Sequence, residues 1–217
     1  MAWTSQVDIY CERTDPSLWS EPLNALTNLA VLVAAGMLWR AQTAAGGTVD
    51  ASDRALAVLI GAIGVASFLF HTLATVWAGL ADTLTILAFA AYFLLRFLVR
   101  AAAVPMRLAV AAAAVFAVLS YAFPQALPPG TATGSAGYLP YVAALFAMVV
   151  YLWQPRPAAA RVFLAATLLF LASLALRTVD PLLCARFPPG THFLWHLLNA
   201  VVLYALAFEL SVRLPRR

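Results

Sequence analysis

The chain of 217 residues is 64% hydrophobic and only 10% charged, with a mean hydropathy of +0.89, which excludes an ordinary soluble domain and marks an integral membrane protein. The net charge of +4 is carried by arginine alone, since no lysine occurs. The arginines sit singly at the ends of apolar segments without interleaved aromatics, a pattern that suits a membrane surface and gives no reason to propose nucleic acid.

Residues 1–21 read as a polar N-terminal segment holding Asp8, Cys11, Glu12, Asp15 and Glu21. They lack the basic start and apolar stretch of a signal peptide, so the first apolar run is expected to direct insertion itself. Apolar runs follow at about Leu23–Trp39, Ala55–Leu73, Leu80–Leu98, Leu108–Phe123, Tyr138–Trp153, Val162–Val179 and His192–Val212. Each approaches the ~20 residues that a helix needs to cross ~30 Å of hydrocarbon, so the fold class is an all-α bundle of seven transmembrane helices in a single domain spanning 1–217. Breaker-rich connections separate the runs at Gly46-Gly47, Pro105, Pro124 to Pro140, Gln154 to Pro157, and Pro188-Pro189-Gly190. After the last of these, Thr191 stands where an N-cap of the seventh helix belongs.

Seven spans place the termini on opposite sides, and arginine placement says which is which. Arg40, Arg54, Arg96, Arg100, Arg107, Arg156, Arg161, Arg213, Arg216 and Arg217 fall on the side of the C-terminus, against Arg13, Arg177 and Arg186 on the other. The positive-inside tendency therefore predicts an outer N-terminus and a cytoplasmic C-terminus. Cys11 and Cys184 both fall on the outer side, where an oxidising compartment favours a disulfide that pins the N-terminal segment over the bundle. The other reading is two unpaired thiols, because sequence does not give their separation.

All three histidines of the chain, His71, His192 and His196, fall by parity at the same outer end of the spans, with Ser67 one turn before His71 and Asp82 across a short connection. Ionisable groups at membrane depth are costly and read as functional. His192 and His196 are four residues apart, which on a helix puts both imidazoles on one face. Three neutral imidazoles hold Zn²⁺ tetrahedrally and leave a fourth position for water, the arrangement of a catalytic site. Asp82 is then the candidate acid/base and Ser67 the candidate hydrogen-bond donor to an oxyanion. Taken singly, each histidine reads equally as a helix-to-helix hydrogen bond, and Ser67 as a packing residue. Trp195, Phe193 and Tyr204 read as packing or interfacial residues. Haem ranks below zinc, since neighbours four apart on one helix do not reach opposite axial positions.

These residues carry a resemblance. Ser67-x3-His71-x10-Asp82, Asp180-x3-Cys184, His192-x2-Trp195-His196, and Cys11-Glu12 followed by Glu21-x2-Asn24-x3-Asn28 together resemble the alkaline ceramidase family, within the CREST group of seven-span metal hydrolases. The resemblance covers most of the chain. It implies zinc on His71, His192 and His196, acid/base action by Asp82, oxyanion support by Ser67, and a Cys11–Cys184 bridge. The reaction it implies is hydrolysis of the N-acyl bond of a ceramide-like membrane lipid to a sphingoid base and a fatty acid. Animal members also carry a calcium site in the N-terminal segment. Glu12 and Glu21 match it here, while Ile9, Tyr10 and Thr14 depart from it, and Asp8 or Asp15 is the substitute ligand the segment offers. The alternative function is a seven-span lipid-binding receptor or sensor in which zinc only braces the helices. Asp82 favours the enzyme, because a purely structural zinc gains nothing from an unligated carboxylate beside it. The alanine- and arginine-rich, lysine-free composition points to a bacterial inner membrane with the site facing the periplasm. Acyl-chain preference and oligomeric state are not legible.

Overall fold

The computed structural model describes residues 2–45, 49–128 and 131–215, with nothing of the side chains at 132 and 133. Gly46-Gly47, the middle of the connection from Pro124 to Pro140, Arg216 and Arg217 thus lie outside the described residues. The helices are α1 (Pro22–Thr27), α2 (Leu29–Ala44), α3 (Ala51–Leu73), α4 (Val76–Arg100), α5 (Met106–Gln125), α6 (Leu139–Trp153), α7 (Pro157–Leu183) and α8 (His192–Phe208). A 3-10 segment, Thr131–Tyr138, leads into α6, and a π turn, Glu209–Arg213, extends α8. With α1 and α2 taken as one rod, seven helices among the described residues are long and apolar enough to cross a membrane. They match the seven runs expected from sequence.

The first rod is interrupted at Asn28. The Asn28 side-chain amide donates to the Asn24 carbonyl at 2.9 Å, and its backbone N–H bonds Ala25 O at 3.2 Å, one residue short of the α pattern. The side chain thus takes a carbonyl that the backbone ladder would otherwise use. Asn24, Thr27 and Asn28 form a short polar strip here, and Asn24 and Asn28 are fully buried.

The interior is otherwise built from aliphatic and aromatic side chains of α2, α3, α4, α6, α7 and α8, among them Leu38, Leu56, Ile60, Phe163 and Leu210. Large apolar residues such as Val118, Tyr121 and Val150 remain exposed, as the lipid-facing surface of a bundle requires. At one end α3 terminates in Ala74, whose left-handed φ of 44° turns the chain straight into α4. That turn is covered by the N-terminal segment: Val7 N–H donates to Ala74 O at 2.7 Å and Val76 N–H to Ser5 O at 3.1 Å.

A disulfide joins Cys11 to Cys184, with the Cα atoms 4.9 Å apart, and pins the same segment to the end of α7. The expectation that the two cysteines pair holds. The N-cap expectation holds for the position of Thr191 but not for its side chain. Thr191 makes no side-chain cap; its hydroxyl donates instead to Leu176 O at 2.6 Å. The start of α8 is capped from α7 by Asp180, whose Oδ1 accepts from Thr191 N–H at 2.6 Å and His192 N–H at 2.9 Å. Its Oδ2 accepts from Cys11 N–H at 3.0 Å.

The opposite end of the bundle is held by charge. Asp53, fully buried, accepts from Arg96 Nε at 2.9 Å and pairs with Arg100. Arg100 also donates to Ser211 O and Leu214 O at 3.1 and 3.0 Å. The π turn and the residue after it present those carbonyls to Arg100 and so tie this segment to α4.

Candidate metal centre

α3 brings His71 to the end of the bundle covered by the N-terminal segment, and α8 brings His192 and His196 on one face. One ligand atom from each lies within 4.8 Å of the others. All three are buried, at 1–3% exposure. Among the described residues this is the group of His, Cys, Asp or Glu able to hold a metal ion.

The surroundings fit a cation. His71 Nδ1 lies 2.6 Å from Glu21 Oε2, so with Glu21 ionised it carries the proton and donates, leaving the Nε2 lone pair for an ion. His196 Nδ1 lies 2.9 Å from Thr27 Oγ1. The Thr27 hydroxyl hydrogen is committed to Leu23 O at 2.7 Å, so Thr27 accepts from His196 Nδ1–H, and Nε2 is again free. His192 is stacked on Tyr10 with ring centroids 3.6 Å apart, and its buried Nδ1 has no hydrogen-bond partner. Two fixed tautomers and one orphaned ring nitrogen are what a three-imidazole metal site requires of its protein.

Glu21 is itself held. Arg13 Nε donates to its Oε1 at 2.6 Å and the Asn24 amide to its Oε2 at 3.0 Å. Burial, the largest single effect, raises the pKa of this carboxyl, but its interactions with His71 and the hydrogen bonds from Arg13 and Asn24 together outweigh it and hold the group below the usual range. Arg13 also reaches the His71 carbonyl at 3.2 Å.

Of the residues expected to bind calcium, Glu21 is engaged in this network and the others lie around it or outside it. Glu12 accepts backbone N–H groups of Leu23 and Asn24 at 2.6 and 2.8 Å, which caps α1. Burial raises its pKa, and the two amides oppose that rise. Asp8 is exposed, and Asp15 turns back to accept from Ser17 N–H. The guanidinium of Arg13 therefore occupies the cationic position against Glu21.

Asp82, on α4, and Ser67, on α3, share a hydrogen bond, and Asp82 Oδ1 is buried with no partner. Both line a cavity that ends at His196 and continues between Phe89, Phe93, Met148 and Leu206. From Asp82 to Phe93 along α4 this depth is about 16 Å at 1.5 Å per residue. Its walls are overwhelmingly apolar. The residues singled out from sequence thus lie together, but sequence reasoning missed their company. Tyr10, Tyr138 and Arg177 also face the site, and Trp195, read as packing, lines it. Their signal in the sequence was weak, since each is an ordinary interfacial residue type. Tyr10, buried by this packing, has its phenol pKa raised, with Asp82 and Glu21 adding to the rise and Arg177 opposing it.

No curated protein matches the chain significantly. The family model described as Ceramidase matches residues 2–213, from the segment that covers the histidines to the π turn that closes the far end, and the chain belongs to that family.

Proposed function

We propose that this chain is a zinc-dependent intramembrane amide hydrolase that cleaves the N-acyl bond of ceramide-like lipids, releasing a fatty acid and an amine. The observation that carries the reading is the junction of three metal-competent imidazoles with a carboxylate and a hydroxyl at the end of an apolar channel. Zinc on three imidazoles polarises a carbonyl and lowers the pKa of a bound water to about 7.

The chain's own residues supply the rest. The channel takes the acyl chain and draws its carbonyl carbon up to the histidines, with lipid-like walls excluding bulk water. Asp82 Oδ1, having no other bond, takes the proton of the attacking water and delivers it to the leaving nitrogen. Ser67 first orients the Asp82 carboxylate by donating to it. Once Asp82 is protonated it becomes the donor, and the Ser67 hydroxyl turns its hydrogen to the oxyanion. Glu21 and Thr27 hold the imidazoles of His71 and His196. The site faces the periplasm in this reading, on the arginine distribution alone.

The test is metal analysis of the purified protein, coupled to fatty-acid release from an N-acyl sphingoid lipid. Zinc near one per chain, turnover lost to chelator and restored by zinc, and inactivity of His196→Ala support the reading. A protein that holds zinc and binds lipid yet releases no fatty acid across varied acyl chains is a receptor or sensor instead.

A further inference from the structure

The histidine site opens on two sides. The apolar channel accounts for one. On the other, across Asp82, Tyr138 and Trp195, lies a second cavity of about 230 Å³ that is also lined by Tyr10, His192 and Arg177. That is several times the ~30 Å³ that one water occupies, so it has room for a small polar group. Ile9 and Thr83, both exposed, also line it, so it reaches the surface beside the N-terminal segment. If the channel holds the acyl chain, this cavity receives what lies on the nitrogen side of the amide.

Its chemistry is set by Arg177. The guanidinium carbon lies 6.0, 5.6 and 5.7 Å from the ring centroids of Tyr10, Tyr138 and Trp195. Its nitrogens donate to Ser135 Oγ at 3.0 Å and Tyr10 Oη at 3.3 Å. Three rings and two hydroxyls thus fix a permanently charged planar fork in the wall of the cavity. Such a fork matches the paired oxygens of a carboxylate or phosphate. A neutral head group needs only hydroxyls and amides, without the desolvation cost of a fixed cation. Asp82 on the shared wall repels an anion there and confines it to the Arg177 end.

We propose that this cavity is a head-group subsite for an anion, a carboxylate or phosphate on the amine side of the scissile bond, held by Arg177 and Tyr10. The proposal rests on the hydrolase reading for the amide and on the cavity alone for the anion. Among N-acyl lipids it selects those with acidic head groups.

Two measurements test it. Hydrolysis of N-dodecanoylglycine is compared with that of N-dodecanoylethanolamine, which differs in its carboxylate. The expected kcat/KM ratio favours the acid at least tenfold, mainly through KM. Arg177→Gln lowers that ratio tenfold or more, and Arg177→Lys, which keeps charge without the fork, falls between. Calorimetry on metal-free protein then compares dodecyl phosphate, dodecanol and inorganic phosphate, and the first is expected to bind at least tenfold tighter than either other. A wild-type preference for the neutral amide overturns the proposal, as does a ratio unmoved by Arg177→Gln or equal binding of inorganic and dodecyl phosphate. Should Arg177→Gln not fold, the wild-type ratios and Arg177→Lys still decide. Arg177-dependent binding of dodecyl phosphate without hydrolysis of any amide sinks the hydrolase reading and leaves the subsite standing. Hydrolysis indifferent to the head group does the reverse.

Discussion

Glu21 reaches His71 across 50 positions of sequence and fixes which ring nitrogen is left for a metal ion. Such outer partners typically carry a factor of about 10–100 in metal affinity. Glu21→Gln is therefore expected to weaken zinc binding by about that factor, read by competition with a chelator. The ionised Glu21 also stabilises the fold, because its pKa is lowered on folding. That stability is present above the unfolded value of about 4.3 and is lost as pH falls through the lowered folded value. The gap in melting temperature between wild type and Glu21→Gln should accordingly be constant at neutral pH and close only below about pH 4. In the proposed mechanism Asp82 carries the proton, so Asp82→Asn removes that carrier and leaves the imidazoles alone. It should lower kcat by about 10²–10⁴ with zinc content unchanged. The histidines, Asp82 and Ser67 were legible because polar groups in apolar runs are few and parity puts them at one end. Glu21, Thr27 and Arg177 were not, since each looks ordinary in its own segment and takes meaning only from the helix packed against it.

The start of α8 shows how an element depends on its neighbours. Gly190 has a left-handed φ of 65°, and a Cβ there would collide with Asp180 Oδ1 and press on Cys11. Left-handed backbone alone costs a non-glycine residue roughly 1–2 kcal/mol. Gly190→Ala should therefore lower the melting temperature and loosen both α8 ligands, visible as reduced zinc retention. Asp180→Ala strands three backbone N–H groups, each worth about 1–3 kcal/mol if left buried and unpaired, and should destabilise the protein more severely than Gly190→Ala. Helix number was plain from the lengths of the apolar runs. Thr191 holds the N-cap position, but the carboxylate that does the capping was not legible, because a sequence pattern looks for caps in adjacent residues, whereas this one comes from α7. The break at Asn28 escaped notice for a related reason. An asparagine within an apolar run signals a polar contact without saying whether it is made to another helix or to its own carbonyls.

At the scale of the whole molecule, the bundle is tied at both ends and apolar between them. At the end far from the histidines, Arg96 and Arg100 entered the sequence reading as surface charges that orient the protein. The structure buries both against Asp53. Breaking such a buried arrangement by removing one partner commonly costs about 3–5 kcal/mol, so Asp53→Asn should melt well below wild type while leaving the zinc ligands intact. At the histidine end the tie is covalent, and it closes residues 11 to 184 into a loop that contains the first six spans. The last ligand-bearing helix emerges only eight residues after the closing cysteine. Six spans must therefore be made before the ring can be sealed, and a nascent chain halted earlier holds at most one of the three imidazoles. The cluster comes together in a single late event, so no half-made chain presents two of its imidazoles to a stray ion.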